Sequence, residues 1–149
     1  MAHAADDLQF DYEGSLALAR RLYSLAESLS TLMSKRLSFA ESAIVQWSGK
    51  KETEFVGRMN DEQSSGGGFV GSLQVEANQW ASAWAQAVTQ QNKISYQRER
   101  ERRRDDRSFL ESAGEFLFGG GGDDGLKEPT PVSVPSAPGF APTGSLVHY

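Results

Sequence analysis

Apolar side chains recur along the N-terminal part of the chain with the spacing of an amphipathic helix. Between Asp11, a favourable N-cap residue, and Val45, a row of leucines alternates between steps of four and three residues: Leu18, Leu22, Leu25, Leu29 and Leu32. The row then shifts by one residue and continues as Met33, Leu37, Ala40, Ile44 and Trp47. Charged residues mostly lie off this row, as expected for an amphipathic helix with one solvent-exposed face. The pattern predicts a helix of about 50 Å whose row of apolar residues builds the core.

A second helical pattern follows. Phe55 and Met59 lie one turn apart, and after an interruption the apolar positions resume as Phe69, Leu73, Ala77, Trp80 and Trp84. The interruption is Gly66-Gly67-Gly68, and a glycine inside a helix costs about 1 kcal/mol relative to alanine. We therefore predict a break or a kink there. No stretch shows the alternation typical of a strand, so the predicted fold is all-α.

Trp47-Ser48-Gly49 lies between the two helical patterns. A glycine there tolerates the positive φ of a tight reversal, and an indole two residues earlier can cover the end of a core. We predict an antiparallel hairpin with its turn at Trp47 and Gly49, which brings Trp80 and Trp84 near the start of the first helix. A hairpin of this size buries little apolar area alone, so we expect it to pair with another protein.

The C-terminal part has a different composition. All five prolines, Pro129, Pro131, Pro135, Pro138 and Pro142, lie there, beyond a glycine run at 119–122. These features divide the chain into a leader at 1–10, a helical domain at 11–118 and a flexible, disordered tail at 119–149. The tail is either featureless or carries a docking motif made by Pro138, Phe140, Pro142 and Tyr149, since aromatic grooves bind such segments.

Composition narrows the function. The 149 residues suffice for one domain, the net charge is −5, no cysteine is present, and the two histidines, His3 and His148, lie near the termini. We therefore expect no catalytic site, no metal and no cofactor. The start of the chain is acidic and lacks the apolar run of a cleavable signal peptide, and no segment is apolar enough to span a membrane. The expected location is the cytoplasm, unless export uses a route that ignores such signals.

A charged stretch extends from Tyr96 to Arg107, with six arginines and four acidic residues at spacings that allow pairing along a helix. A solvated helix is the favoured interpretation. A surface for a protein partner and an arginine-driven nucleic-acid site are the alternatives, and the interleaved acids weaken the second of these.

Two long helical patterns around Trp47-x-Gly49, with an aromatic residue at Phe55, resemble the WxG family of small helical-hairpin proteins associated with type VII (ESX-like) secretion. The resemblance covers about residues 10–96. It implies a hairpin that pairs into a four-helix bundle, as a homodimer or with a sister hairpin or larger effector, and that is exported folded or escorts a substrate. The family's export signal is a tyrosine followed four residues later by an acid. Tyr96 and Glu99 form a degenerate version of it, because Arg100 takes the fourth position.

We therefore expect a non-catalytic protein of type VII secretion that acts through protein–protein contacts. The helix-packing and interface positions are Leu18, Leu22, Leu25, Leu29, Leu37, Ile44, Phe55, Leu73, Trp80 and Trp84. The alternative is a cytoplasmic adaptor that docks a partner with its proline-rich tail. A nucleic-acid binder centred on residues 98–107 is a third hypothesis.

Overall fold

A computed structural model describes residues 6–113 and 125–149 of the chain, with the side chains of 110–113 excepted. Within these residues the chain forms two helices, α1 (Tyr12–Ile44) and α2 (Lys50–Ala113), and contains no strand. The two helices pack against each other as a hairpin. The predicted all-α hairpin is thereby confirmed.

The first helix begins and ends with local signals. Asp11 is the N-cap of α1, and its carboxylate accepts a 2.8 Å hydrogen bond from the Gly14 amide. After Ile44 the chain reverses within five residues, and Gly49 takes a φ of +93°, a conformation in which a Cβ would be strained. The Thr53 amide donates to the Gly49 carbonyl and starts α2.

The predicted break at Gly66–Gly68 is wrong, because α2 is one helix of 64 residues that runs through all three glycines. The alternative of a kink at this position stays a prediction. The physical reason lies in the packing. A Cβ placed on Gly66 would overlap the end of the Met33 side chain, so the missing side chain leaves room for Met33 between α1 and α2. Gly67 and Gly68 have open space around them. Packing along a long helix outweighs the local propensity of a short glycine run.

Small side chains, rather than the row of leucines, line the contact between the helices. Ala19 and Ala26 of α1 are fully buried, as are Ala77 and Ala81 of α2, and Leu16 and Trp84 complete the core at the open end of the hairpin. The expectation that the leucine row builds the core is therefore wrong for Leu18 and Leu25, which are exposed. Alanines on both helices permit a short interhelical distance, and that contact rotates the larger leucines outward.

Residues 125–149, called here the C-terminal segment, have no helix or strand but pack onto the hairpin. Phe140 is 0% exposed and Pro135 is also fully buried. The predicted disorder is thus incorrect for this segment, because its apolar residues are buried against α1 and α2. The predicted glycine linker at 119–122 and the helical residues 114–118 lie outside the described residues, and the domain boundaries stay a prediction.

Candidate functional site

The most conspicuous surface feature is a row of large apolar side chains on α1 that no part of residues 6–113 or 125–149 covers. Leu25 is 53% exposed, Leu32 is 56% exposed and Phe39 is 75% exposed. Together with Leu18 they lie seven residues apart, and half-buried Leu22 and Leu29 fill the spaces between them. We call this set of six residues the apolar face. Its seven-residue spacing is that of a surface on which another helix packs.

The apolar face continues across the hairpin onto α2. Both helices form a groove of about 340 Å³ there. Its lining includes Leu29 and Met33 from α1 and Met59 and Phe69 from α2, together with the charged pair Arg36 and Glu62. Phe69 is more than half exposed. The surface available to a partner is therefore formed by both helices rather than by α1 alone.

Charge is sparse around the apolar face. Between Leu22 and Ser34 the only charged residue is Glu27, although most of this stretch is exposed to solvent. Arg36 borders the face, and its guanidinium lies 3.0 Å from the Glu62 carboxylate. Depletion of charge distinguishes the centre of protein interfaces from ordinary surface. The low charge of this stretch and its exposed leucines thus both indicate a protein-binding surface.

The corner between the helices does not cover the core as expected. Trp47 is 51% exposed and packs on Phe55, with 5.5 Å between ring centroids. The core cluster lies at the opposite end of the hairpin, around Leu16 and Trp84. Trp47 is therefore a further exposed aromatic residue, near the corner.

The other predicted packing positions are distributed along the hairpin. Trp84 is buried and Trp80 packs against the same core cluster. Five further positions are half-buried: Leu22, Leu37, Ile44, Phe55 and Leu73. Ala77 belongs to the predicted apolar row of α2, but sequence reasoning missed Ala19 and Ala26 of α1, although their seven-residue spacing was the available signal.

The predicted docking motif of the tail is divided between buried and exposed residues. Phe140 lies in the core cluster, whereas Pro138 and Pro142 are exposed. Tyr149 packs on Tyr96 with 5.8 Å between ring centroids, and burial raises the pKa of its hydroxyl. In this arrangement Phe140 is not accessible to another protein. The adaptor hypothesis requires the segment to detach, and it stays a prediction.

Arg20 holds the tip of the C-terminal segment on α1. Its Nε donates to the Gly139 carbonyl at 2.8 Å, and its Nη2 donates to the Phe140 carbonyl at 3.1 Å. Sequence reasoning did not identify this arginine, because its partners lie more than a hundred residues away. Arg20 and Leu18 are two residues apart and so point about 160° apart around α1. The C-terminal segment and the apolar face therefore occupy different sides of this helix.

Glu99 is the centre of a compact ion cluster in the charged part of α2. Both carboxylate oxygens accept from Arg102, at 2.9 and 2.8 Å, and one also accepts from Arg103 Nε at 2.8 Å. Hydrogen bonds from Arg102 and then Arg103 lower the pKa of Glu99 to about 2. Two of the arginines proposed for a nucleic-acid site are thus paired with an acid within the helix. Tyr96 of the degenerate export signal is in contact with two other residues. The Arg100 guanidinium carbon lies over its ring, 5.7 Å from the centroid, and the Tyr149 ring packs against it.

A small cavity lies where the N-terminal residues meet α2 and the chain's C-terminus. It has a volume of about 330 Å³ and is lined by Asp7, Tyr12 and Arg98, among others. Asp7 accepts from Gln91 and from Arg98, and these bonds lower the pKa of its carboxyl. The Tyr12 hydroxyl is buried in the protein without a hydrogen-bond partner there. A buried hydroxyl in that state lowers stability.

Residues 6–113 and 125–149 contain no group of three acidic, histidine or cysteine side chains arranged to hold a metal ion. Neither described helix is long and apolar enough to cross a membrane. No protein-family model, curated protein or solved structure matches the chain.

Proposed function

We propose that this protein is non-catalytic and acts by protein–protein contact, pairing through its apolar face with a second copy of the chain. The observation that carries the proposal is the row of exposed apolar residues at seven-residue spacing on α1. Large exposed apolar surfaces with sparse charge mark interaction sites in soluble proteins.

The order of residues on the apolar face suits a two-fold pair. If two α1 helices lie antiparallel and cross between Ser28 and Leu29, Leu18 of one copy faces Phe39 of the other. The same placement sets Leu25 opposite Leu32. A two-fold interface needs a surface that is complementary to itself, and this row meets that condition.

The energetics favour a reversible pair. Burying an exposed leucine or phenylalanine stabilises by about 1.5–3 kcal/mol, and the row's side chains are about half exposed already, so each contributes roughly half of that. Four such side chains from each copy give about 6–12 kcal/mol. Association itself costs about 4–15 kcal/mol. Because the gain and the cost are of similar size, we expect a pair that dissociates on dilution rather than a permanent one.

We further propose that this hairpin serves type VII secretion, as an exported protein or as the partner of a larger effector. Support comes from the Trp47-x-Gly49 triplet, which lies at the reversal between two long helices, with Gly49 in the left-handed region. Immunodetection of the chain in culture medium, with and without the secretion ATPase, tests this proposal. Equal amounts of the chain in the medium of strains with and without the ATPase would show that type VII secretion does not export it.

Photo-crosslinking in the native cell tests the pairing surface. A photoreactive amino acid at Leu25 should give a crosslinked product containing two copies of this chain. The matched control is the same amino acid at Glu27, which is exposed and points about 160° away around α1. A crosslinked product with a sister hairpin or an effector would support the apolar face as the pairing surface but show that its partner is not a second copy of this chain. Equal yields of crosslinked product from Leu25 and Glu27 would show that the apolar face is not the pairing surface.

A further inference from the structure

The tip of the C-terminal segment occupies a slot on the hairpin. The Phe140 side chain is fully buried among residues from both helices, including Leu16 of α1 and Ala77 and Ala81 of α2. Tyr23 meets its ring edge-on, with 5.9 Å between centroids and 74° between ring planes. An aromatic ring enclosed in this way contributes a large apolar contact. Fully buried Pro135 and the partly buried Val132 and Ala137 of the same segment add to it.

The backbone next to Phe140 is also bound. The guanidinium of Arg20 donates to two successive carbonyls, those of Gly139 and Phe140. Charge-assisted bonds from one planar donor group to two carbonyls fix the position and direction of a chain. Phe140 adopts a φ of 42°, so the slot holds a turn rather than a fully extended strand. The recognised unit is a proline-glycine-phenylalanine turn.

α2 binds the two arms on either side of this turn through polar side chains. Thr89 accepts from the Val132 amide at 3.0 Å. Asn92 is buried, donates to the Ser145 carbonyl at 3.1 Å and accepts from the Val147 amide at 2.8 Å. One amide side chain that satisfies both a carbonyl and an amide of a passing chain is a peptide-binding arrangement. In each of these bonds the partner of the α2 side chain is a backbone group of the C-terminal segment.

We propose that the slot between α1 and α2 is a peptide-recognition site for a proline-glycine-phenylalanine turn, and that the C-terminal segment of a second copy can fill it in place of the chain's own. The identity of the occupant follows from the observed fit of this same segment. The chain's own segment competes at an effective concentration of about a millimolar, which limits exchange in the intact protein. This site is separate from the apolar face, so the inference does not rest on the proposed pairing.

A labelled peptide tests the site in the full chain. Fluorescein-labelled peptide of residues 129–149 is titrated onto the wild type and onto Phe140→Ala, and anisotropy is recorded. Phe140→Ala removes the ring that fills the slot and so weakens the chain's own segment as a competitor. This variant should therefore bind the peptide at least about 10-fold more tightly than the wild type. The matched control, Pro142→Ala, changes an exposed proline of the same segment and should behave as the wild type.

Two further measurements make the result decisive. Adding Arg20→Ala to the Phe140→Ala chain should weaken peptide binding about 10-fold, since the carbonyl contacts are lost. A peptide with alanine in place of phenylalanine should not bind. Absence of binding to a folded Phe140→Ala chain, or equal binding of the alanine peptide, would overturn the proposal.

If Phe140→Ala does not fold, the unlabelled peptide is added to the ¹⁵N-labelled wild type. Peptide at about a millimolar should then move the Gly139 and Phe140 amide signals of the chain, because its own segment is displaced. Signals that stay in place would overturn the proposal.

Discussion

Met33 of α1 lies against Gly66 of α2 so closely that a methyl group on Gly66 would occupy the space of its thioether end. This contact gives the three adjacent glycines different roles. Gly66 is half-buried and faces α1, whereas Gly67 and Gly68 are exposed and have nothing within 4 Å of an added Cβ. Only the first of the three is required by packing.

The first prediction compares alanine at these glycines. Gly67→Ala should raise the free energy of unfolding by up to about 1 kcal/mol, because it improves helix propensity without a steric conflict. Gly66→Ala should gain less or lose stability, because Met33 has to move out of the contact. Urea denaturation of both variants measures the difference. If Gly66→Ala is the more stable variant, the contact between Met33 and Gly66 is wrong.

A second prediction concerns the reversal between the helices. Gly49 has a φ of +93°, so Gly49→Ala should lower the free energy of unfolding by about 1–2 kcal/mol. Gly57→Ala is the matched control, since Gly57 lies inside α2 with open space around it and should gain stability. Thermal melts followed by circular dichroism separate the two. Equal melting temperatures would contradict the turn geometry.

Tyr12 provides a third prediction. Its hydroxyl is buried without a partner in the protein, and burial raises its pKa, with the charge of Asp7 as a second cause. Tyr12→Phe removes the hydroxyl and keeps the ring, so stability should stay the same or rise by about 1 kcal/mol. Chemical denaturation measures this. A loss of more than about 1 kcal/mol would mean that the hydroxyl makes a stabilising hydrogen bond, for example to water in the adjoining cavity.

The fourth prediction is a pH dependence that arises from Glu99. Its folded-state pKa of about 2 lies below the ordinary 4.5, so the folded state is favoured when this carboxyl is ionised. The contribution is complete above the ordinary pKa and is lost as the pH falls towards about 2. Carbon-detected NMR of the Glu99 carboxyl should give a midpoint near 2. A midpoint near 4.5 would show that Arg102 and Arg103 do not hold it.

Glu99→Gln extends this test to stability. Between the two pKa values the stability of the wild type should fall with decreasing pH more steeply than that of the variant. Glu101→Gln serves as the control, because this neighbouring acid is not part of the Arg102–Glu99–Arg103 cluster. Parallel curves for the wild type and Glu99→Gln would contradict the cluster.

The sequence was sufficient to predict the two helices, the hairpin and the position of its turn, because these depend on local periodicity and on glycine at the reversal. It was not sufficient to choose between two neighbouring apolar rows on α1. Leu18 and Leu25 are more apolar than Ala19 and Ala26, but small residues on both helices allow the shorter interhelical distance. That choice depends on α2 and cannot be made from α1 alone.

The C-terminal segment escaped prediction for a similar reason. Proline content indicates an extended chain, and the segment is indeed free of helix and strand. Its order comes from long-range contacts, above all those of Arg20 with Gly139 and Phe140 and those of Asn92 with Ser145 and Val147. Isolated apolar residues between prolines were the available signal, and they do not identify the surface that receives them.

The proposed function depends above all on the apolar face, and sedimentation equilibrium of the full chain tests it most directly. The wild type should show a concentration-dependent mass that approaches twice the chain mass of 16.3 kDa. Leu25→Asp with Leu32→Asp should be monomeric, whereas the adjacent exposed pair Ser24→Asp with Thr31→Asp should still associate. A wild type that stays at 16.3 kDa at every concentration would contradict pairing through this face.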